Sequence, residues 1–596
     1  MSNDARDAHR RRRLLRLLGG GGAVVWLALA LAFAARTGFV TDEGHHLAAG
    51  LAMLHAADFR MNPEHPPLVK ALAALPLMLI APPDFHPSSA GMAHVLDFAW
   101  RRSDPWTYLH AVVLMADDVP WQMRLWLARL APILIGWLGG ALAFVWGREL
   151  TRRPEGGLLA AGFLIFYPEY LGHACLVTFD VPLLVAGAAV GWAAWQWWRR
   201  PDRRRGMAFA LTGAVAAQVK LPATFFLVLT LAVLLCLTLA GTGGRVRLRS
   251  VIALGAATAA AWWLGAWAAA GFRFSLVNPA EPVEGGIRFG PPVSGENLGL
   301  LLRACNAVWE RRLLPEATIS QFIHLSSFER RVYYLMGETS TTGWYHYFPV
   351  TFALKTPLPL IAALPILAGR GLRLWRGRRA RVRLWRIQRA AVLGGPFLLL
   401  GLLVAASRIN IGHRHILFIY FPLCVGLGAE LTRWLQGFGR RRGRLWRRAG
   451  AGILAAGQLA SLVLAWPNLT TYFNLIGGSP WRASRWVGDS NTDWGQDDVW
   501  IAPRLGQLGY RAMNLSLYVA AYAPEVLGMS DYRWINPYKR PPFTHQHWDA
   551  PDPDLPTVVS VNEVRSLRQA FPDRYGRDPD LVWNSHVVYL PPPGGK

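Results

Sequence analysis

Two adjacent acids, Asp42 and Glu43, follow the first apolar run of the chain. An ionisable side chain at membrane depth costs roughly 2.5 to 3.5 kcal/mol on insertion scales, so an acid held at the end of a span generally has a partner or a function. Further on, the motif Asn62–Leu68 adds Glu64 and His65 ahead of two prolines that fix the backbone direction. A positioned carboxylate can act as a general base, and we expect Asp42 to have that catalytic role, with Glu43 beside it.

Basic residues recur at the ends of later apolar runs, where we expect them to meet the acids at one face of the membrane. Arginine and lysine side chains stabilise the negative charge that develops on a departing phosphate. An acid and two histidines near them are expected to bind substrate or to support the base. The expected phosphate-binding residues are Arg129, Arg124, Lys220, Lys355 and Arg414, and the expected supporting residues are Asp180, His65 and His415.

One base opposite several cations fits the transfer of a sugar from a polyprenyl-phosphate donor to an acceptor hydroxyl. Phosphate leaves without being protonated, so one carboxylate is enough, whereas glycoside hydrolysis uses two. Attack opposite to the leaving group predicts inversion at the anomeric carbon. The expected partners are a polyprenyl-phosphate sugar donor and an acceptor glycan, lipid or protein.

The composition determines which class of protein must position these residues. Of the 596 residues, 53% are hydrophobic and only 17% are charged, which indicates an α-helical polytopic membrane protein. The net charge is +26, but about half of the 63 Lys and Arg residues lie in six short clusters between apolar runs. Such clusters mark cytoplasmic loops, so the charge predicts contact with the lipid bilayer and excludes nucleic acid as a partner.

Placing all six basic clusters in the cytoplasm requires pairs of spans between them. About eleven spans satisfy this condition, with a cytoplasmic N-terminus and an external C-terminus. The run Leu68–Ala81 is too short for about 30 Å of hydrocarbon and is expected to lie along the interface. The expected spans are residues 16–36, 124–147, 156–176, 181–198, 206–219, 221–240, 250–271, 348–368, 391–407, 415–435 and 449–467.

This topology predicts two domains. Residues 1–467 form the transmembrane catalytic domain, with external juxtamembrane helices in loops of about 37–123 and 272–347. Residues 468–596 alternate strand-like runs with Pro- and Asp-rich turns, which predicts a small external α/β domain. The run Asp489–Asp498 is suited to binding an acceptor sugar or a cation, although Asp and Asn are also typical of turns.

A series of short motifs resembles the bacterial members of glycosyltransferase family 39. The motifs are TDEGHHLAAGLAML, NPEHPPLVKAL, RLWLARLAP, FDVPLLV, GWYHYFPVTFALKTPLPL, NIGHRHILF and YFNLIGG with GDSNTDWGQD, spread over residues 41 to 498. That family contains the protein O-mannosyltransferases and is related to the aminoarabinose transferases of lipid A, all of the GT-C fold. The resemblance implies a GT-C enzyme of the bacterial inner membrane that acts on the cell envelope.

The resemblance also implies roles for individual residues. Asp42 corresponds to the base, and Arg129, with Arg124 next, corresponds to an arginine that binds the donor phosphate. Glu64 matches an acid that helps to hold a metal in the aminoarabinose transferases, and His324 is a candidate second ligand. No cofactor is fixed by the sequence, and a divalent metal ion is left open. The chain lacks the long insertion of the eukaryotic mannosyltransferases, so a protein acceptor is not implied.

Other interpretations of the same residues stay open. Asp42 also suits the N-cap of an interfacial helix, and Arg129 also suits an ion pair with Asp180 inside the bundle. The alternative function is a transporter or flippase of lipid-linked saccharides. Transporters commonly contain inverted repeats with broken helices, and no internal repeat is visible in this sequence.

Overall fold

Helices form most of the computed structural model. It describes residues 3–87, 89–115, 119–242, 246–278, 280, 299–325, 332–376, 380–437, 441–518, 528–529, 531–535 and 549–592. The helices are α1 (Asn3–Arg36), α2 (Thr41–Ala56), α3 (Leu68–Ile80), α4 (Ala90–Arg102), α5 (Pro105–Leu109), α6 (Trp121–Thr151), α7 (Pro154–Ile165), α8 (Pro168–Ala174), α9 (Asp180–Arg199), α10 (Arg203–Ala217), α11 (Leu221–Leu239), α12 (Leu248–Ala269), α13 (Leu300–Glu310), α14 (Glu316–His324), α15 (Tyr347–Lys355), α16 (Leu358–Arg376), α17 (Ala380–Ser407), α18 (Tyr420–Leu435), α19 (Arg441–Ala465), α20 (Pro480–Ala483), α21 (Ile501–Gln507), α22 (Val564–Ala570) and α23 (Pro572–Tyr575).

Seven of the described helices are long and apolar enough to cross a bilayer, and the number rises to eight if one bent pair counts as a span. The seven coincide with spans expected from the sequence, so a multi-pass helical membrane protein is confirmed. Helix α3 has 13 residues, fewer than the roughly 20 that a crossing needs. Helix α9, with 20 residues, and helix α10, with 15, are continuous. They are not among the helices that are both long and apolar enough to cross a bilayer.

Two of the expected spans are broken helices. Residues 348–368 are divided between α15 and α16, which meet at 115°, and residues 156–176 are divided between α7 and α8. Proline causes both breaks, because the residue before it is driven out of the helical conformation. Thr356, before Pro357, and Tyr167, before Pro168, both have extended backbones.

Within the described residues, strands occur in a small hairpin and in the C-terminal part of the chain. In the C-terminal sheet the strand order is β4-β3-β5-β7-β6, with β3 parallel to β4 and β5 and with β7 antiparallel to β5 and β6. Together with α22 and α23 it confirms the expected small α/β unit. The strands are β1 (Tyr333–Leu335), β2 (Glu338–Ser340), β3 (Ala512–Ser516), β4 (Asp531–Trp534), β5 (Thr557–Ser560), β6 (Leu581–Trp583) and β7 (His586–Tyr589).

The C-terminal sheet shares a hydrophobic core with the helices that follow the first span. Leu47 and Leu51 of α2 belong to the same buried cluster as Leu515 of β3, Val558 of β5 and Val588 of β7. Burial of apolar area contributes about 25 cal/mol per Å², so this core fixes the sheet against the start of α2. Hydrophobic packing is therefore continuous between the two sides of residue 467, where the sequence predicts the domain boundary.

Candidate active site

Asp42 lies in the first turn of α2, immediately after the chain leaves α1. Its carboxylate accepts a hydrogen bond from Arg414 at 2.7 Å, and about 30% of its side chain is exposed. Burial alone would raise the pKa of Asp42, but the adjacent Arg414 guanidinium holds it well below its usual range. Asp42 is thus an ionised carboxylate with an accessible face.

Arg414 connects Asp42 to a second ion pair. Its guanidinium is 3.6 Å from Asp180, whose other carboxylate oxygen accepts a hydrogen bond from Lys220 at 2.7 Å. Asp180 begins α9, Lys220 immediately precedes α11, and Arg414 lies in the 3-10 segment His413–Ile419 that leads into α18. Three helix starts therefore converge on the start of α2, and they bring two acids and two cations together.

Several buried polar atoms in this cluster lack hydrogen-bond partners. Among the described residues these include Asp180 Oδ2, Arg414 Nε, His415 Nε2 and His173 Nδ1. Both histidines interact electrostatically with Asp180 and Arg414. Buried polar groups in folded proteins are normally hydrogen-bonded. These atoms are therefore available to form hydrogen bonds with a polar ligand.

A tryptophan from the C-terminal part of the chain covers Arg414. The guanidinium carbon of Arg414 is 3.9 Å from the centre of the Trp494 ring, within the range of a cation–π interaction. The backbone carbonyl of Trp494 accepts a hydrogen bond from the Thr41 amide at 3.1 Å. The loop that contains Trp494 therefore contacts Arg414 directly and also contacts Thr41, the residue before Asp42.

Glu43 and Arg129 form a separate, fully buried pair. Arg129 donates to both Glu43 oxygens, at 2.9 and 2.6 Å, and to the carbonyls of Ala34, Thr37 and Gly38. Glu43 also accepts from two backbone amides. All five N–H groups of Arg129 are engaged, so this geometry favours a structural role over the catalytic and phosphate-binding roles expected from the sequence.

Removal of the Glu43 charge is expected to destabilise the protein. The Glu43→Gln variant leaves Arg129 buried without its counter-ion, a change that typically costs about 3–5 kcal/mol. Thermal unfolding in detergent, followed by tryptophan fluorescence, should show a clearly lower Tm. The exposed Asp97–Arg101 pair supplies the control, because Asp97→Asn should cost at most about 1 kcal/mol. Equal Tm values for the two variants would contradict the structural role.

Two other expected phosphate ligands are also buried and bonded to groups other than Asp42. Arg124 is directed toward backbone carbonyls, including those of Ala81 and Pro82. Lys355 is 2.7 Å from Glu169 and donates to the Asn491 carbonyl. Glu169 was not among the expected site residues, although an acid inside the apolar run 156–176 was a visible signal.

His65 packs against the site without joining the ion pairs. Its ring centre is 5.5 Å from that of His46 and 4.7 Å from that of Phe179. Burial and the nearby His46 and Lys220 lower the pKa of His65 well below its usual value. A neutral imidazole at this point suits a contact to substrate hydroxyls better than a contact to phosphate.

Glu64 and His324 meet as the sequence suggested, and their nearest oxygen and nitrogen are 3.2 Å apart. The contact joins the loop after α2 to α14. Among the described residues, no third His, Cys, Asp or Glu atom completes a set of three with this pair. Zinc usually has three or four protein ligands, so these two residues by themselves do not form a complete zinc site.

Two cavities are lined by residues linked to Arg414. An apolar groove of about 500 Å³ is lined by residues of α15 and α17 and by Ile416 and Ile419, which follow Arg414 in the 3-10 segment. A more polar pocket of about 740 Å³ lies among β1, the loop before α21 and α22. Asp489 lines that pocket and interacts electrostatically with Arg414. Both cavities are thus lined by residues that adjoin Arg414 in sequence or interact with it electrostatically.

No protein-family model matches this chain, and no curated protein matches it. Among solved structures, it is similar to ArnT from Cupriavidus metallidurans in the apo state, with 16% identity, a TM-score of 0.45, and coverage of 96% of this chain and 98% of that chain. The crystal structure of ArnT from the same organism bound to undecaprenyl phosphate gives 16% identity, a TM-score of 0.42, and coverage of 95% and 96%. At this level of similarity neither structure assigns an activity to the chain.

Proposed function

We propose that this chain is an inverting glycosyltransferase of the GT-C type, similar to family 39. In this proposal it moves one sugar from a polyprenyl-phosphate carrier to an acceptor hydroxyl. The observation that carries the proposal is the Asp42–Arg414 pair, an accessible carboxylate 2.7 Å from a guanidinium. Arg414 is linked to both cavities, because Ile416 and Ile419 of its own segment line the apolar one and Asp489, which interacts with it, lines the polar one.

The reaction needs one proton transfer and one displacement. Asp42 takes the proton of the acceptor hydroxyl while the hydroxyl oxygen attacks the anomeric carbon. The bond from that carbon to the phosphate oxygen breaks, and its electron pair leaves with the polyprenyl phosphate. The donor phosphodiester has one negative charge and the product monoester approaches two near neutral pH. Arg414 and Lys220 are the cations that stabilise the added charge.

Donor binding also makes Asp42 a better base. In the free protein the ion pair with Arg414 keeps the pKa of Asp42 low, and a carboxylate of low pKa accepts protons weakly. A phosphate that binds Arg414 competes with Asp42 for its N–H groups. The pKa of Asp42 then rises, so the base is strengthened when donor is present.

In this proposal the apolar groove binds the polyprenyl chain of the donor. Substitution of a glycine that lines the groove tests this part of the proposal. A side chain at Gly394 of α17, which lines the groove, meets no atom within 4 Å of its Cβ. We expect Gly394→Leu to raise the KM for a long-chain polyprenyl donor about tenfold, equivalent to about 1.4 kcal/mol. A donor analogue with a short, water-soluble chain should be unaffected.

Gly255 of α12 supplies the matched control, because its Cβ position is also open and it is not among the residues that line the groove. Gly255→Leu should leave both KM values unchanged. If Gly394→Leu affects the short and long donors equally, or neither of them, the groove does not bind the carrier.

The positions of the basic clusters indicate on which side of the membrane the proposed site lies. The basic clusters at residues 148–153 and 199–205 lie at the C-terminal ends of α6 and α9, whereas Asp180 lies at the start of α9. The rule for positive loops then gives a cytoplasmic N-terminus and a site and C-terminal sheet on the periplasmic or external face. The expected location is the bacterial inner membrane, and the expected product is a component of the cell envelope.

The proposal is tested with purified protein in lipid nanodiscs and a panel of radiolabelled polyprenyl-phosphate sugars that includes mannose. We expect transfer from one donor, with inversion at the anomeric carbon observed by NMR of the product. Retention of configuration would contradict the single-base mechanism. Absence of turnover with every donor, together with movement of lipid-linked saccharide between leaflets, would favour a flippase.

A further inference from the structure

Two buried acids of the loop that covers Arg414 meet a buried histidine of β7. Asp493, Asp498 and His586 each have at most 1% of their surface exposed. One oxygen or nitrogen of each lies within 4.8 Å of the other two. His586 Nε2 is 3.2 Å from Asp498 Oδ1 and 4.0 Å from Asp493 Oδ2. We call this set the Asp–His cluster, and we propose that it binds a divalent metal ion of the zinc type.

Buried atoms without hydrogen-bond partners are the first observation that supports a metal ion in the Asp–His cluster. Both carboxylate oxygens of Asp498 and Nε2 of His586 are buried without a hydrogen-bond partner. His586 Nε2 and Asp498 Oδ1 are 3.2 Å apart, close enough for an ion pair, but they are not aligned for a hydrogen bond. Two carboxylates in a dry site need positive charge beside them, and a protonated His586 would supply only one charge for two acids. A metal ion supplies that charge and satisfies all three residues.

The donor set and its spacing indicate which metal. Imidazole nitrogen with carboxylate oxygen suits zinc and other first-row metals, whereas calcium and magnesium prefer oxygen alone. Bonds of about 2.1 Å in a tetrahedral site separate neighbouring ligand atoms by about 3.4 Å. The two separations from His586 lie on either side of that value.

Surrounding hydrogen bonds orient the ligands. Ser560 Oγ donates to Asp493 Oδ2, and the Gly495 amide donates to Asp493 Oδ1 at 3.0 Å. Ser585 Oγ is 3.2 Å from His586 Nδ1, which leaves Nε2 free to bind a metal. Ser560 and His586 are paired across β5 and β7. Contacts of this kind fix the tautomer and direction of a metal-binding histidine.

The position of the cluster gives the metal a role in building the active site. Asp493 is followed directly by Trp494, whose ring lies over Arg414 and whose carbonyl accepts from the Thr41 amide. A metal that joins Asp493 to His586 therefore fixes the C-terminal sheet to the Asp42–Arg414 pair. Asp493, Asp498 and His586 act here as positioning residues and do not touch the reacting atoms.

The test measures metal content of the full-length protein in detergent, after incubation with Zn²⁺ and removal of excess, by inductively coupled plasma mass spectrometry. We expect about one zinc per chain and a Tm that falls with a chelator and recovers with Zn²⁺. Asp498→Asn and His586→Ala should reduce bound zinc at least tenfold, whereas His586→Cys, which keeps a zinc ligand, should retain it. The double variant Glu64→Gln/His324→Ala should keep its zinc.

Other outcomes overturn the inference. The cluster is not a metal site if the wild-type protein retains no zinc and shows no change in Tm, or if Asp498→Asn keeps stoichiometric zinc. Loss of zinc only from the Glu64/His324 variant would assign the metal to that pair. These readouts do not depend on sugar transfer, so a failure of the proposed enzymatic function would leave the metal assignment intact.

Discussion

Replacement of Asp42 by Asn is expected to lower the rate of sugar transfer at least about a hundredfold while donor binding is retained. Asn keeps the size of the side chain but cannot take a proton, and loss of a general base typically costs about 10² to 10⁴ in rate. Donor affinity should stay constant or increase, because Arg414 no longer has its ion pair at 2.7 Å. Single-turnover transfer and donor binding, measured on the same preparation, separate the two effects.

The control for this variant is Asp84→Asn, which removes an exposed carboxylate in the same loop region between α1 and α6. Its transfer rate and donor affinity should equal those of the wild-type protein. Undiminished transfer by Asp42→Asn would remove Asp42 from the mechanism. A loss of donor binding as large as the loss of rate would instead identify Asp42 as a binding residue.

The second large effect is expected for Arg414→Gln, which should weaken binding of polyprenyl phosphate by about 10- to 100-fold and lower transfer still further. The variant removes the guanidinium nearest to Asp42 and its contact with Asp180. A charge-assisted hydrogen bond contributes roughly 1.5 to 3 kcal/mol, which matches this range of affinity. Lys220 remains, so binding should be reduced rather than abolished.

The pH dependence of kcat/KM gives an independent readout for Arg414. In the wild-type protein the pKa of Asp42 is held low, so the carboxylate is ionised above the ordinary Asp value of about 3.9. Activity should fall only as the pH drops below that value. Without Arg414, burial raises the pKa, and the acidic limb of the residual activity should move to higher pH. An unmoved limb would show that Arg414 does not control the base.

Arg408→Gln is the matched control, because Arg408 lies in the same connection between α17 and α18 but contacts Tyr345. It removes one positive charge from that connection without altering the cluster at Asp42. Donor affinity, transfer rate and pH profile should all be unchanged. If Arg408→Gln weakens donor binding as much as Arg414→Gln does, the effect reflects general charge and not a phosphate site.

Sequence patterns predicted seven of the eleven expected spans as single helices long and apolar enough to cross a bilayer, because hydropathy and basic clusters are local properties. Among the described residues, seven helices that can cross a bilayer coincide with expected spans, and β5 and β7 overlap the strand-like runs at 557–561 and 587–590. The bend between α15 and α16 was not expected, although Pro357 was visible. Proline within an apolar run is compatible with a kink or with a full break, and neighbouring helices decide between them.

The sequence by itself determined that acids and cations lie at the ends of membrane helices, and it singled out Asp42. Only the tertiary structure decided which charges meet, because the partners of each pair are distant along the chain. Glu43 meets Arg129 across 86 residues and is saturated by hydrogen bonds, whereas Asp42 meets Arg414 across 372 residues and keeps an exposed face. Two adjacent carboxylates look alike in sequence, and only their burial and hydrogen-bond partners in the fold distinguish the structural role favoured for Glu43 from the catalytic role proposed for Asp42.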